Sequence, residues 1–198
     1  MTPRLAIARA ARIVRGGGVI AYPTEAVFGL GCLPRDRRAV ARVLAIKRRS
    51  WRKGLILVGA DFSQLERYVV LPPEPRRSEV LASWPGPHTW VLDAVPSAPR
   101  WITGGRASVA VRVTAHPVAA ELCRAVGEAL VSTSANVSRR PPHRRLLKLR
   151  RDLGSHVDYV LAGALGGLDS PTAIRDGRSG RLLRGDVPKG DRSIFGRK

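Results

Sequence analysis

Four short polar stretches hold the residues best suited to chemistry in this chain. They are Tyr22-Pro23-Thr24-Glu25, Lys47-Arg48-Arg49 with Lys53-Gly54, Ser108-Val109-Ala110-Val111-Arg112, and Ser132-Thr133-Ser134-Ala135-Asn136. Each lies at the end of an apolar run or just beyond it, where open α/β sheets place their ligands. Together they offer cations, hydroxyls and an amide with a single carboxylate, a donor set suited to an anionic, phosphate-bearing ligand. Lys47, Arg49 and Lys53 read either as an ordinary solvated charge run or, because they lead into the apolar run Leu55 to Val58, as cations held at a sheet edge that can clamp a triphosphate. Arg48 and Arg52 read as solvent-facing. Arg112 sits on a run of strict strand character, where a guanidinium is costly unless it meets a carboxylate from the protein or from a ligand. Ser134 and Asn136 read either as part of a capped turn or as hydrogen-bonding groups for phosphates. A serine nucleophile is disfavoured, since no G-x-S-x-G elbow occurs. Thr24 fits a turn cap and a pocket hydroxyl equally well. No G-x-x-x-x-G-K-[ST] occurs, and no G-x-G-x-x-G follows a strand.

The elements that must position these residues alternate between strand and helix. Residues 3–15 read as an amphipathic helix stopped by Gly16-Gly17-Gly18, in preference to an Arg-rich presequence. Val19 to Tyr22 is a short strand, and Asp36 caps a helix running to about Lys47. Leu55 to Val58 is a central strand, followed by a short helix over Asp61 to Tyr68. A further helix spans about Ser78 to Trp84, then a rigid Trp84-Pro85-Gly86-Pro87 turn. His88 to Leu92 and Ser108 to Val113 are strands. His116-Pro117 opens a helix ending near Gly127, and Ala129 to Ser132 is a buried strand. Thr133 to Pro142 reads as a loop, 146–153 as a helix and Val157 to Leu161 as a strand. Ala173–Arg175 and Leu182–Arg184 form a closing hairpin. The expected fold is α/β, a single domain with a twisted mixed sheet and flanking helices enclosing a basic cavity. Its limits are 1–185, with 186–198 as a basic tail.

Composition bounds the rest. The 198 residues are 44% hydrophobic, enough for one core, and no 18-residue apolar run exists to span a membrane. Two distant cysteines, Cys32 and Cys123, and four histidines without ligand spacing exclude a zinc site and suit reduced thiols in the cytosol. The net charge of +20, with 30 arginines against 5 lysines, attracts nucleic acid without sequence preference, although a coding bias explains part of the arginine excess. Seven cations fall between Arg139 and Arg151 with no aromatic residue among them, which argues against base stacking there.

At these residues the chain resembles the YrdC-type L-threonylcarbamoyladenylate synthase family, in its short bacterial form. The resemblance runs from about Leu5 to Gly185. It is carried by Gly17 to Leu30, the K-x-R-x-x-x-K-G run from Lys47 to Gly54, Trp84-Pro85-Gly86-Pro87, Thr103-Gly104-Gly105, Ala110-Val111-Arg112, Ser134-Ala135-Asn136 and Leu183-Arg184. It implies a cytoplasmic enzyme that condenses L-threonine, bicarbonate and ATP to threonylcarbamoyl-AMP and diphosphate. The product would serve threonylcarbamoylation of adenosine 37 in tRNA. By resemblance, Thr24, Arg112 and Thr172 would hold threonine. Lys47, Arg49, Lys53, Ser134, Asn136 and Arg184 would hold ATP, with Ser108 a weaker candidate and Lys47, Arg49 and Lys53 serving catalysis. Mg²⁺ would ride on the phosphates, with no metal site of the protein's own. Partners would be tRNA or double-stranded RNA and the proteins of the later threonylcarbamoyl-transfer step.

The chain departs from the family pattern at four places. Ser50 replaces a common Pro, Arg139 a common Gly, and Pro171-Thr172-Ala173-Ile174 the form P-S-T-[IV]. His88 and Trp90 replace smaller apolar residues and phenylalanine as packing changes. The competing expectation is a non-catalytic module for double-stranded RNA or ribosome assembly, which would tolerate loss of Lys47, Arg49, Ser134 or Asn136. All four are present. A carbamoyl-transfer domain of hydrogenase maturation would need a longer, cysteine-rich chain.

Overall fold

Helix α1 (Pro3–Arg15) buries Ile7, Ala10, Ala11 and Val14, one face at helical spacing, and leaves its arginines in solvent. This computed structural model describes residues 3–185. The proposed tail, 186–198, lies outside the described residues. After α1 come β1 (Ile20–Pro23), β2 (Phe28–Gly31), α2 (Arg37–Lys47), β3 (Ile56–Gly59), β4 (Val69–Val70), α3 (Arg76–Ala82), β5 (His88–Ala94) and α4 (Arg100–Thr103). The chain continues through β6 (Ser108–Val113), α5 (Pro117–Val126), β7 (Leu130–Ser134), α6 (Leu146–Leu153), β8 (Tyr159–Val160), β9 (Ala173–Asp176) and β10 (Leu182–Arg184).

The strands form one mixed sheet in the order β10-β9-β5-β6-β3-β7-β2-β1-β8, with β4 on β5. Pairs β3–β6, β1–β8 and β5–β9 are parallel, and the others antiparallel. Successive side chains point to opposite faces of a strand, so the sheet separates two cores. Ala21, Leu57 and Val131 face α2 and α6, while Ile20, Tyr22, Val58 and Leu130 face α1 and α5. Cys32 and Cys123 are free thiols buried in these two cores, and burial pushes the Cys123 thiol up to about 12. Among the described residues no helix is long and apolar enough to cross a membrane.

The capped helices fall where the sequence puts them. The Asp36 carboxylate accepts from the N–H groups of Arg38 and Ala39 at 2.9 and 3.0 Å, and His116 caps α5 with Pro117 at its first turn. Four expectations change. The Asp61 to Tyr68 helix shrinks to a 3₁₀ turn at Phe62–Gln64, because the Gln64 side chain takes the Ala60 N–H and the chain enters β4 at Val69. Strand β2 was not anticipated: its two glycines hide the strand pattern. Gly31 is required there, since a Cβ would stand 2.7 Å from Cε1 of Tyr22. Strand β7 runs on to Ser134 because Gly29 and Leu30 of β2 pair with Ser134 and Thr133. The Val157 to Leu161 strand shortens to Tyr159 and Val160 in register with β1, with the N–H groups of Asp158 and Leu161 donating to Val19 O and Ala21 O at 2.8 Å on either side.

Candidate functional site

A cavity of about 450 Å³ opens where the β1–β2 turn, the C-terminus of α2, the end of β7 and the β9–β10 hairpin converge over β3 and β6. Nine of the ten predicted residues line it: Thr24, Lys47, Arg49, Lys53, Arg112, Ser134, Asn136, Thr172 and Arg184. Ser108 does not. Positions 108, 110 and 112 of β6 share a face, but four residues along a strand span about 13 Å. Ser108 lines instead an adjoining cavity of about 370 Å³ that shares Arg49, Lys53 and Arg184 with the first.

Arg112 shows how the strand pattern builds the floor. Val109, Val111 and Val113 point into the core, which leaves Arg112 on the cavity face, buried. Its Nη1 donates to the Thr172 hydroxyl at 2.7 Å and the Thr89 hydroxyl at 3.3 Å, and its Nη2 to Glu25 Oε2 at 3.2 Å. The Thr114 hydroxyl donates to the other Glu25 oxygen. The carboxylate Arg112 needs therefore comes at least in part from the chain itself, while Arg112 Nε, also buried, makes no hydrogen bond among the described residues. Glu25 was not among the predicted site residues, although it is the one carboxylate of the four stretches. Thr24 donates its hydroxyl to Val27 O at 2.6 Å, so both readings of it meet: it holds the turn and presents only lone pairs to the cavity.

The cations form the opposite wall. Lys47, the last residue of α2, is buried, and its ammonium reaches Asn136 O at 3.0 Å, Asn136 Oδ1 at 3.1 Å and Ser134 O. Burial, and then Arg49, lower its pKa to about 8. Arg49 donates from Nη2 to Gly54 O at 3.0 Å, while its Nε is buried without a partner among the described residues. Burial first, then Arg184, lower the pKa of Arg49, and burial lowers that of Arg184. Cations desolvated side by side with no carboxylate between them form a site for an anion. Lys53 stands exposed at the mouth.

The departures are absorbed locally. Arg139 takes φ 69°, the left-handed conformation that suits glycine. Ser50 has φ −64°, as a proline would, and its hydroxyl accepts from the Arg52 N–H at 3.3 Å. Thr172 reaches the cavity despite the altered motif. Trp90 is fully buried and donates to the Ser83 hydroxyl at 2.9 Å. Among the described residues no group of three or more His, Cys, Asp or Glu side chains is placed to hold a metal ion.

Fold and cavity together define an α/β protein with a mixed sheet and a cavity lined by several cations. The chain belongs to the Sua5/YciO/YrdC family, described as "Telomere recombination", whose model matches residues 12–185. The threonylcarbamoyl-AMP synthase of Halorhodospira halophila is 58% identical to it over 178 residues, 90% of this chain and 93% of the relative. Among solved structures, E. coli YciO superposes with a TM-score of 0.83 at 29% identity, over 98% of this chain and 94% of that one. P. abyssi Sua5 complexed with L-threonine superposes with a TM-score of 0.80 at 34% identity. This chain covers 50% of that longer protein, with 86% of its own length aligned.

Proposed function

We propose that the chain is a threonylcarbamoyl-AMP synthase, which condenses L-threonine, bicarbonate and ATP to threonylcarbamoyl-AMP and diphosphate for modification of adenosine 37 in tRNA. The observation that carries this reading is the gathering of nine predicted residues around one cavity, in a chain 58% identical to a synthase of that name. In this reading the threonine carboxylate meets Arg112, and Thr24 accepts a hydrogen bond from the amino acid. The amine and bicarbonate or CO₂ form a carbamate, whose oxygen attacks the α-phosphorus of ATP as diphosphate leaves. Such a transfer depends on positioning and charge neutralisation more than on a protein nucleophile. Arg49, Lys53 and Arg184 supply that neutralisation. The cavity wall offers cations, hydroxyls and amides, so Mg²⁺ enters with the substrate as Mg·ATP, held by the phosphates. The adjoining cavity beside Ser108 gives the nucleotide room to extend.

Contact with tRNA or duplex RNA, hand-over to the threonylcarbamoyl-transfer proteins and a cytoplasmic location complete the proposal. The net charge of +20 supports the RNA contact. The deciding measurement is diphosphate release from ATP by purified protein, with and without L-threonine and bicarbonate. Release that requires both is the expected result. Folded protein that binds RNA tightly and releases no diphosphate would instead be the RNA-binding module.

A further inference from the structure

We propose that Lys47 is a positioning residue: its buried ammonium winds the Ser134–Ser138 loop into its working shape and leaves the phosphate contacts to Arg49, Lys53 and Arg184. The inference rests on the ATP reading above and divides the labour of its cations.

An ammonium has three N–H donors and no acceptor. Around Lys47 Nζ stand Ser134 O, Asn136 O at 3.0 Å and Asn136 Oδ1 at 3.1 Å, with Ser134 Oγ farther off at 3.5 Å. All are protein oxygens, so no N–H remains for a phosphate. Carbonyls two residues apart do not converge on one point in an extended chain. Here they do, because the chain curls round the ammonium as it leaves β7. The same residue closes the curl from its backbone, since Lys47 O accepts the Ser138 N–H at 2.8 Å. Within the loop, the Ser134 hydroxyl donates to Asn136 Oδ1 at 2.6 Å, and Asn136 Nδ2 donates to Arg140 O. The other cations differ: among the described residues Arg49 holds a buried Nε without a partner, and the Lys53 side chain makes no hydrogen bond or ion pair.

The test uses the whole chain in two measurements. In the wild-type protein, alkaline titration is followed by NMR at the Lys47 side chain and at the carbonyl carbons of Ser134 and Asn136. Both carbonyls are expected to shift in step with Lys47. Carbonyls that stay still while Lys47 titrates would overturn the proposal, and this measurement needs neither a variant nor turnover. The second measurement compares Lys47→Met with Arg49→Met by amide hydrogen exchange and by binding of a non-hydrolysable ATP analogue. Lys47→Met is expected to speed exchange across residues 134–138 about tenfold, the scale of one lost charge-assisted hydrogen bond. Arg49→Met should weaken the analogue about tenfold or more and leave loop exchange unchanged. Analogue binding abolished in Lys47→Met with unaltered loop exchange would make Lys47 a direct phosphate contact. Failure of the wild-type protein to bind the analogue at all would count against the ATP reading, while the carbonyl titration would still decide whether Lys47 anchors the loop.

Discussion

Arg112 and Glu25 are a buried ion pair in the floor of a cavity, so their energetics and their use are linked. Removing one partner of such a pair leaves the other charge buried and unmatched, which costs about 3–5 kcal/mol, whereas removing both is far milder. Arg112→Met should therefore destabilise the fold by that amount in urea unfolding, and Arg112→Met with Glu25→Gln should recover most of it. Both variants should lose threonine-dependent diphosphate release more than ATP binding. A double variant with wild-type threonine dependence would remove Arg112 from the amino-acid site. Arg139 illustrates strain in place of charge. At φ 69° a side-chain-bearing residue gives up about 1 kcal/mol relative to glycine, so Arg139→Gly should raise stability by about that much in the same measurement. Lys47 adds a proton linkage. Its pKa of about 8 is lowered from 10.5, so its own contribution to folding stability rises as pH climbs between those values, where the unfolded chain holds a proton the native state has shed. A bound triphosphate favours the charged form and pulls the pKa back up. ATP binding at pH 8.5 should therefore take up a fraction of a proton, seen as a buffer-dependent heat in calorimetry and missing in Lys47→Met.

The elements deliver these residues with unequal clarity in the sequence. Helix α2 was readable because Asp36 supplies a cap and Val40 and Val43 recur at helical spacing, which put Lys47 at its C-terminus. Strand β6 was readable because valines alternate around Ala110 and Arg112. That alternation puts Ser108 on the face of Arg112, but pattern carries no distance along the strand, so it does not show that Ser108 lines the adjoining cavity and not the one floored by Arg112. Strand β2 and the full length of β7 define each other by pairing across about a hundred residues, and local pattern says nothing of such a partner. The Glu25–Arg112 pair, separated by 87 positions, was hidden for the same reason. The β9–β10 hairpin offers a test at this scale, because it carries Arg184 and is entered through Thr172. Gly177 directly follows β9, and a Cβ there would meet Leu92 Cδ2 at 2.5 Å and the Val91 carbonyl oxygen at 2.7 Å. Backbone cannot yield as a side chain does, so Gly177→Ala should lift the hairpin off β5. The expected result is a loss of about 1–3 kcal/mol together with weaker ATP binding. Gly154→Ala, whose Cβ would come no nearer than 3.9 Å to Arg150, should change stability by no more than about 0.5 kcal/mol. A Gly177→Ala protein with normal ATP affinity would show that the hairpin does not hold the nucleotide site together.

At the scale of the molecule, the charge of +20 exceeds what one cavity uses. Within the stretch from Arg139 to Arg151, helix α6 buries Leu149 and Leu153 and turns Lys148 and Arg150 outward, with Arg145 exposed just ahead of it. Among the described residues these three cations form no salt bridge, although Lys148 is near enough to Asp152 to help lower its pKa, whereas Arg151 pairs with Asp152 at 2.9 Å and Arg144 bonds Asp169 O at 3.0 Å. Uncommitted cations on one exposed helix match the regular phosphates of a nucleic acid, and binding of that kind weakens linearly in log–log form as salt displaces it. The proposed RNA contact then makes a quantitative demand. A variant with Arg145→Gln, Lys148→Gln and Arg150→Gln should bind tRNA more weakly. The slope of log affinity against log salt should shrink by roughly 0.7 to 0.9 for each cation that had sat on a phosphate. Diphosphate release from ATP, threonine and bicarbonate in the absence of RNA should be unchanged, since none of the three lines either cavity. Affinity and slope equal to wild type would put the RNA on another face of the basic surface. A wild-type protein whose tRNA binding does not respond to salt would remove the electrostatic argument for the contact altogether.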